Sequence, residues 1–320
     1  MDKEQEQLQF LSFIGIFKES LKIILSCPKI FTKISLAFIL PLSFISLLNV
    51  EISKHLINNS STSNSQQLSP ISSKLILFWV FEIVVGLIFS LLSISAVIYT
   101  VACIFTGKEV TFKKIMSVIP KVWKRLMITL ISNFCILFAY ILTVTFILIV
   151  CLTIIMFSSK PKDLQVVTTI FSIITGILVF VGLIYAAIFW QLSNVVSVME
   201  EYCGFKAMKK SRQLIKGKIG TAIAIYLVLS ICYVPIVILH RQLGQRDSNI
   251  GIGPTILYGI LSIVLNLLIV LYIFVVHTVF YFVCKSYHHE NINKSALADH
   301  LESFHGGYVP LIKGDVELSV

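Results

Sequence analysis

The sequence predicts an all-α integral membrane bundle of six transmembrane helices, arranged as three helix-pair repeats that each open on a basic interfacial helix. Three observations carry this reading. Hydrophobic residues make up 57% of the 320 positions and charged residues 13%, against about 45–50% and 25% in soluble chains. With a mean hydropathy of +0.91, too little polar surface remains to cover a water-soluble exterior. Six stretches each supply the roughly 20 apolar residues that cross a hydrocarbon core. Finally, a short basic amphipathic pattern recurs ahead of the first, third and fifth of those stretches.

In chain order, residues 1–30 read as a cytosolic N-terminus ending in an interfacial helix. Asp2, Glu4 and Glu6 stand where a secretory leader would be basic, which disfavours a cleaved signal and leaves insertion to the first span. The membrane domain covers 31–284, with spans expected at Phe31–Val50, Leu75–Phe105, Leu126–Phe157, Val166–Val198, Ile219–Leu239 and Pro254–Cys284. The longest would measure about 48 Å at 1.5 Å per residue, so it must tilt or protrude. Residues 285–320 form a cytosolic tail.

Orientation follows from lysine and arginine, whose translocation is disfavoured. The N-terminus, second loop, fourth loop and tail together hold 20 of them and the other three loops hold 6. Both termini are therefore expected in the cytosol. The glycosylation sequons at Asn58 and Asn59 fall in the first loop, on the opposite side, as such acceptors require. Anionic lipids are the expected partner of the net charge of +10. No aromatic-rich basic module points to nucleic acid. The seven cysteines lack the spacing of a disulfide framework and read as reduced packing residues. Cys103 and Cys284, where spans meet basic segments, are also open to acylation.

The basic pattern reads Phe17-Lys18-Glu19-Ser20-Leu21-Lys22 before Pro28-Lys29, then Phe112-Lys113-Lys114-Ile115 before Pro120-Lys121. Its third copy is Phe205-Lys206-Ala207-Met208-Lys209-Lys210 before Ile215-Lys216-Gly217-Lys218. Lys29, Lys121 and Lys216 align at offsets of 92 and 95 residues, which sets repeats at about 11–105, 112–198 and 203–284. In the third copy, Phe205, Met208 and Ile215 are expected to dip toward acyl chains while the lysines meet headgroups. Pro28, Pro120 and Gly217 are expected to break the helix where the chain turns from the membrane plane to its normal. The headgroup contacts expected are Lys113, Lys114, Lys121, Lys206, Lys209, Lys210 and Lys216.

The segment Val198-Met199-Glu200-Glu201-Tyr202-Cys203-Gly204-Phe205-Lys206-Ala207-Met208-Lys209-Lys210-Ser211-Arg212-Gln213-Leu214-Ile215-Lys216-Gly217 resembles the hallmark of the prokaryotic glycerophosphoryl diester phosphodiesterase membrane domain. The tail, Cys284-Lys285-Ser286-Tyr287-His288-His289-Glu290 through Tyr308-Val309-Pro310-Leu311, resembles an uncharacterised family of plant polytopic membrane proteins, and that likeness extends over nearly the whole chain. Neither resemblance implies catalysis, because in the prokaryotic family the diesterase is a separate soluble domain.

Ionisable and amide groups inside spans are costly and mark candidate sites. Glu82 and His277 are the ionisable pair, and Asn133, Gln191, Asn194 and Asn266 are the amides. Glu82 and His277 lie on spans of opposite direction at different depths, so helix–helix hydrogen bonding is preferred over a direct pair. His288, His289, His300 and His305 lack metal-ligand spacing, and neither a metal nor a cofactor is expected. Gly182 with Ala186, and Gly220 with Ala224, offer faces for close packing. The function expected is a non-catalytic membrane protein of the endoplasmic reticulum or plasma membrane. It would contact lipids, or a protein partner through the C-terminal tail, at the cytosolic face. A small-solute transporter or channel using Glu82 is the alternative, and an intramembrane enzyme on a hydrophobic substrate the third reading.

Overall fold

A computed structural model describes residues 11–45, 68–108, 110–158, 164–245 and 252–288. All the regular structure among them is helical, in eight helices: α1 (Phe13–Ser26), α2 (Pro28–Ile45), α3 (Leu68–Phe105), α4 (Phe112–Ser158), α5 (Leu164–Met199), α6 (Phe205–Ile215), α7 (Ile219–Gln245) and α8 (Ile252–Tyr287). Six of them, all but α1 and α6, are long and apolar enough to cross a membrane. The sequons at Asn58 and Asn59, and the tail with His289, His300 and His305, lie outside the described residues.

Helices α3, α5 and α8, the second spans of the three repeats, touch one another and form an inner triangle. The first spans fill the grooves around it: α2 packs on α3 and α8, α4 on α5 and α3, and α7 on α8 and α5. Each opening segment docks on the second span of the preceding repeat, α4 on α3 and α6 on α5. The ring closes because α1 docks on α8, where the Tyr272 hydroxyl donates to the Phe17 carbonyl at 3.0 Å. The three opening segments share a buried i, i+4, i+7 stripe: Ile16, Ser20 and Ile23; Ile115, Ile119 and Val122; Ala207, Ser211 and Leu214. This structural register has offsets of 99 and 92 residues, against 92 and 95 for the alignment on lysines, so the two differ by about two helical turns at the first joint and one at the second.

Pro120 does not interrupt α4. The basic second segment continues as the first turns of one 47-residue helix. A proline inside a helix loses one backbone hydrogen bond and costs about 3 kcal/mol. The stripe Ile115, Val118, Ile119, Val122, Leu126 and Leu130 stays on one buried face through the proline and offsets that cost. The first and third segments do separate from their spans. Cys27 leaves the helical region (φ −132°, ψ 55°) before Pro28, and Gly217 turns the chain at φ +87° after α6. Within α2 a π-helical turn at Ser35–Ile39, where the Leu40 N–H reaches the Ser35 carbonyl, precedes Pro41. The wider turn eases the clash between the proline ring and the carbonyl before it.

The buried core lies at one end of the bundle, in 91–103 of α3, 115–133 of α4, 188–199 of α5 and 271–286 of α8. Beyond it the α4–α5 pair meets chiefly itself. Tyr140 packs its ring on Gly182, while Phe138, Phe146, Leu178 and Phe180 face outward. Lipid chains solvate such side chains as well as a protein core does. Gly220, by contrast, has open space around it. Cys103 and Cys284 are buried at 3% and 0% exposure, so the folded chain does not present either thiol for acylation. At about 1.5 Å per residue α4 is roughly 70 Å long, more than twice a hydrocarbon core of about 30 Å. A helix of that length must tilt or extend beyond the hydrocarbon.

Candidate functional site at the basic end

α6 is held at both ends by glycine. Gly204 has φ +60° and ψ −133°, a conformation essentially confined to glycine, and its N–H donates to Thr129 Oγ1 at 2.9 Å. After the helix, Gly217 lies under the Tyr287 ring. Small residues bring α6 close to α5: Ala207 and Ser211 are fully buried, and the Ser211 hydroxyl reaches the Phe189 carbonyl at 3.4 Å. The apolar face is therefore spent on protein. Leu214 and Ile215 are buried, Met208 is half-buried and Phe205 is exposed. The expected division into Phe205, Met208 and Ile215 against the lysines is thus replaced by a docking face of Ala207, Ser211, Leu214 and Ile215. The opposite face carries Lys206, Lys209, Arg212 and Lys216, all exposed, with Lys210 half-buried at its margin. On α4, Lys113, Lys114, Lys121 and Lys124 are exposed opposite the buried stripe.

Behind α6 the end of α5 is clasped to the end of α8. Glu200 Oε1 accepts from the Tyr281 hydroxyl at 2.6 Å and from Lys285 Nζ at 3.0 Å. Only 10% of the Glu200 side chain and 20% of the Lys285 side chain are exposed. His288 Nε2 donates to the Leu214 carbonyl at 3.1 Å, and Lys218 Nζ lies 5.1 Å from the centre of the Tyr287 ring. The end of α8 thus touches the turns on both sides of α6. Sequence reasoning assigned Glu200 no role, although a signal existed. A carboxylate at a helix C-terminus opposes the helix dipole, and Tyr281 with Lys285, at i and i+4, offers one face of donors to offset it.

Among the polar residues inside the spans, Asn133 and Asn266 join helices. Asn133 Nδ2 donates to Ser193 Oγ at 3.2 Å, and Thr129 Oγ1 lies 2.6 Å from Ser197 Oγ, so α4 and α5 are joined by two rungs one turn apart. Asn266 Nδ2 donates to Ser43 Oγ at 2.7 Å, tying α8 to α2. His277 is buried, and its Nδ1–H donates to the Ile273 carbonyl of its own helix at 2.7 Å. Glu82 is half-buried between exposed Phe81 and Ile83, with no hydrogen-bond partner among the described residues. No hydrogen bond joins Glu82, His277 and Asn266 to one another. Among the described residues there is no group of three or more His, Cys, Asp and Glu side chains able to hold a metal ion.

Six apolar helices closed into a ring of three pairs, with lysines outward at the packed end, define a multi-pass integral membrane protein. The chain belongs to the family described as a domain of unknown function (DUF8558), which matches residues 1–320. No curated protein and no solved structure matches it.

Proposed function

We propose that this protein is a non-catalytic membrane protein that contacts anionic lipid headgroups, and through its tail a protein partner, at the cytosolic face of the endoplasmic reticulum or plasma membrane. One observation carries the reading: the docking faces of α4's first turns and of α6 are spent on the bundle, so what these segments present outward is chiefly lysine and arginine, with Met116 and Phe205 beside them. Both segments are docked on the bundle, so binding carries a lower ordering cost than it would for a free amphipathic segment. The likeness of 198–217 to the phosphodiesterase membrane domain, and of the whole chain to a plant membrane family, is consistent with a role at a lipid surface that does not need diester chemistry.

The test is lipid retention by the full-length protein in mixed nanodiscs, read by native mass spectrometry. Each lysine near an anionic surface contributes about 1 kcal/mol. Changing Lys113, Lys114, Lys206, Lys209 and Lys216 together to glutamine should therefore reduce anionic-lipid enrichment by orders of magnitude. Equal retention of anionic and zwitterionic lipid by the unmodified protein would overturn the proposal.

A second reading, a small-solute transporter or channel, draws on Glu82 lacking a hydrogen-bond partner among the described residues. Under the lipid-contact reading, Glu82→Gln leaves thermal stability and ion or solute flux in proteoliposomes unchanged. A pH-dependent flux that the substitution abolishes without unfolding the protein would promote transport.

A further inference from the structure

α4 carries no acidic residue along its length. Its first turns bury Ile115, Val118, Ile119 and Val122 and leave Lys113, Lys114, Ser117, Lys121 and Lys124 exposed. Ser117 sits in the middle of that exposed face. Lys113 and Lys114 precede it by four and three positions and Lys121 follows by four, so each lies one helical turn away, with Cβ atoms about 5–6 Å from that of Ser117.

The serine hydroxyl itself is uncommitted. Helical Ser and Thr side chains in this chain commonly turn back onto their own helix, as Ser20 does to the Ile16 carbonyl and Thr143 to the Ala139 carbonyl. Ser117 makes no hydrogen bond among the described residues. The other two opening segments lack this combination. Ser211 sits in an equally basic sequence, Lys209-Lys210-Ser211-Arg212, but is fully buried with its hydroxyl on the Phe189 carbonyl. Ser20 is fully buried as well.

An exposed hydroxyl donor flanked one turn away by the Lys113 and Lys114 ammonium groups, with no carboxylate on the same helix, matches a ligand rich in oxygen acceptors and charge. A phosphomonoester offers three such oxygens and about −1.5 to −2 charge at neutral pH. A phosphodiester offers two non-bridging oxygens and a single charge. We propose that the Ser117 face of α4 binds the phosphomonoester headgroup of a membrane lipid, Ser117 donating to one phosphate oxygen and Lys113 and Lys114 to the others. This rests on the reading of the basic end as a lipid-contact surface and names the headgroup that surface selects.

The experiment places the full-length protein in phosphatidylcholine nanodiscs containing either phosphatidic acid, a monoester, or phosphatidylglycerol, a diester, at matched total charge. Retained lipid is read by native mass spectrometry. Phosphatidic acid should be retained roughly fivefold more than phosphatidylglycerol, the effect of about one additional ammonium–phosphate contact at a surface. The preference should fade as pH falls through about 6, where the monoester loses its second charge. Ser117→Ala should narrow the preference, by lowering phosphatidic acid retention more than phosphatidylglycerol retention, and leave the melting temperature unchanged, because Ser117 is outside the core. Equal retention of both lipids by the unmodified protein, each above phosphatidylcholine, would overturn the monoester site and leave the lipid-contact reading standing. Retention of neither above phosphatidylcholine would overturn both. Complete displacement of phosphatidic acid by excess inorganic phosphate would overturn the lipid assignment in favour of a soluble phosphate ligand.

Discussion

Gly204→Ala lowers the stability of the folded protein by about 3 kcal/mol, the upper range for placing a side chain in a backbone conformation essentially confined to glycine. The position is constrained twice. At φ +60° and ψ −133° the backbone disfavours any Cβ, and the added carbon would stand 2.9 Å from Ser132 Oγ and 3.2 Å from Ile128 Cγ2. Relaxing either strain moves the Gly204 N–H away from Thr129 Oγ1 and pulls α6 off α5. Unfolding in detergent, followed by tryptophan fluorescence against denaturant, measures the loss. Gly220→Ala is the control: that glycine is helical, with open space around it, so alanine is neutral or stabilising by up to about 1 kcal/mol. If the two substitutions behave alike, the glycine turn is not what positions α6.

Lys285→Met costs about 3 kcal/mol, as expected when one partner of a buried ion pair is removed and the other stays behind. Glu200 would then keep only the Tyr281 hydroxyl, and its side chain is too buried for water to take the place of the ammonium. Changing Glu200→Gln in the same protein should recover a large part of the loss, because no buried charge is then left unpaired. The coupling measured across the double-mutant cycle should exceed about 1 kcal/mol and change little with salt, unlike exposed pairs. Additive effects would show that Glu200 and Lys285 act independently and that the α5–α8 clasp lies elsewhere.

The two cases differ in how much of each was legible beforehand. Gly217 is the break expected after a basic stretch that reads as a separate helix from sequence, and α6 occupies Phe205–Ile215. Which face of α6 docks was not legible. The largest apolar side chains, Phe205 and Met208, suggested one face, whereas Ala207 and Ser211 form the contact because only small residues let two helices approach closely. Pro120 misled for a related reason. Its local penalty is plain in the sequence, while the offsetting stripe from Ile115 to Leu130 counts only once α3 and α5 are in place to cover it.

Sequence alone determined what the bilayer demands of each segment separately: six apolar runs, basic segments ahead of every second run, and a chain that must be all helix. These are local, linear requirements, because a span must satisfy its own backbone hydrogen bonds and lysines resist translocation wherever they stand. Tertiary structure decided how the three pairs close into a ring, with α1 on α8, and which polar groups pair. Glu200 meets Tyr281 81 positions away and Asn266 meets Ser43 223 positions away. Lipid is as apolar as leucine, so hydrophobicity does not rank one helix face above another within the membrane. Small residues and polar pairs make that choice, and they act only between helices already brought together.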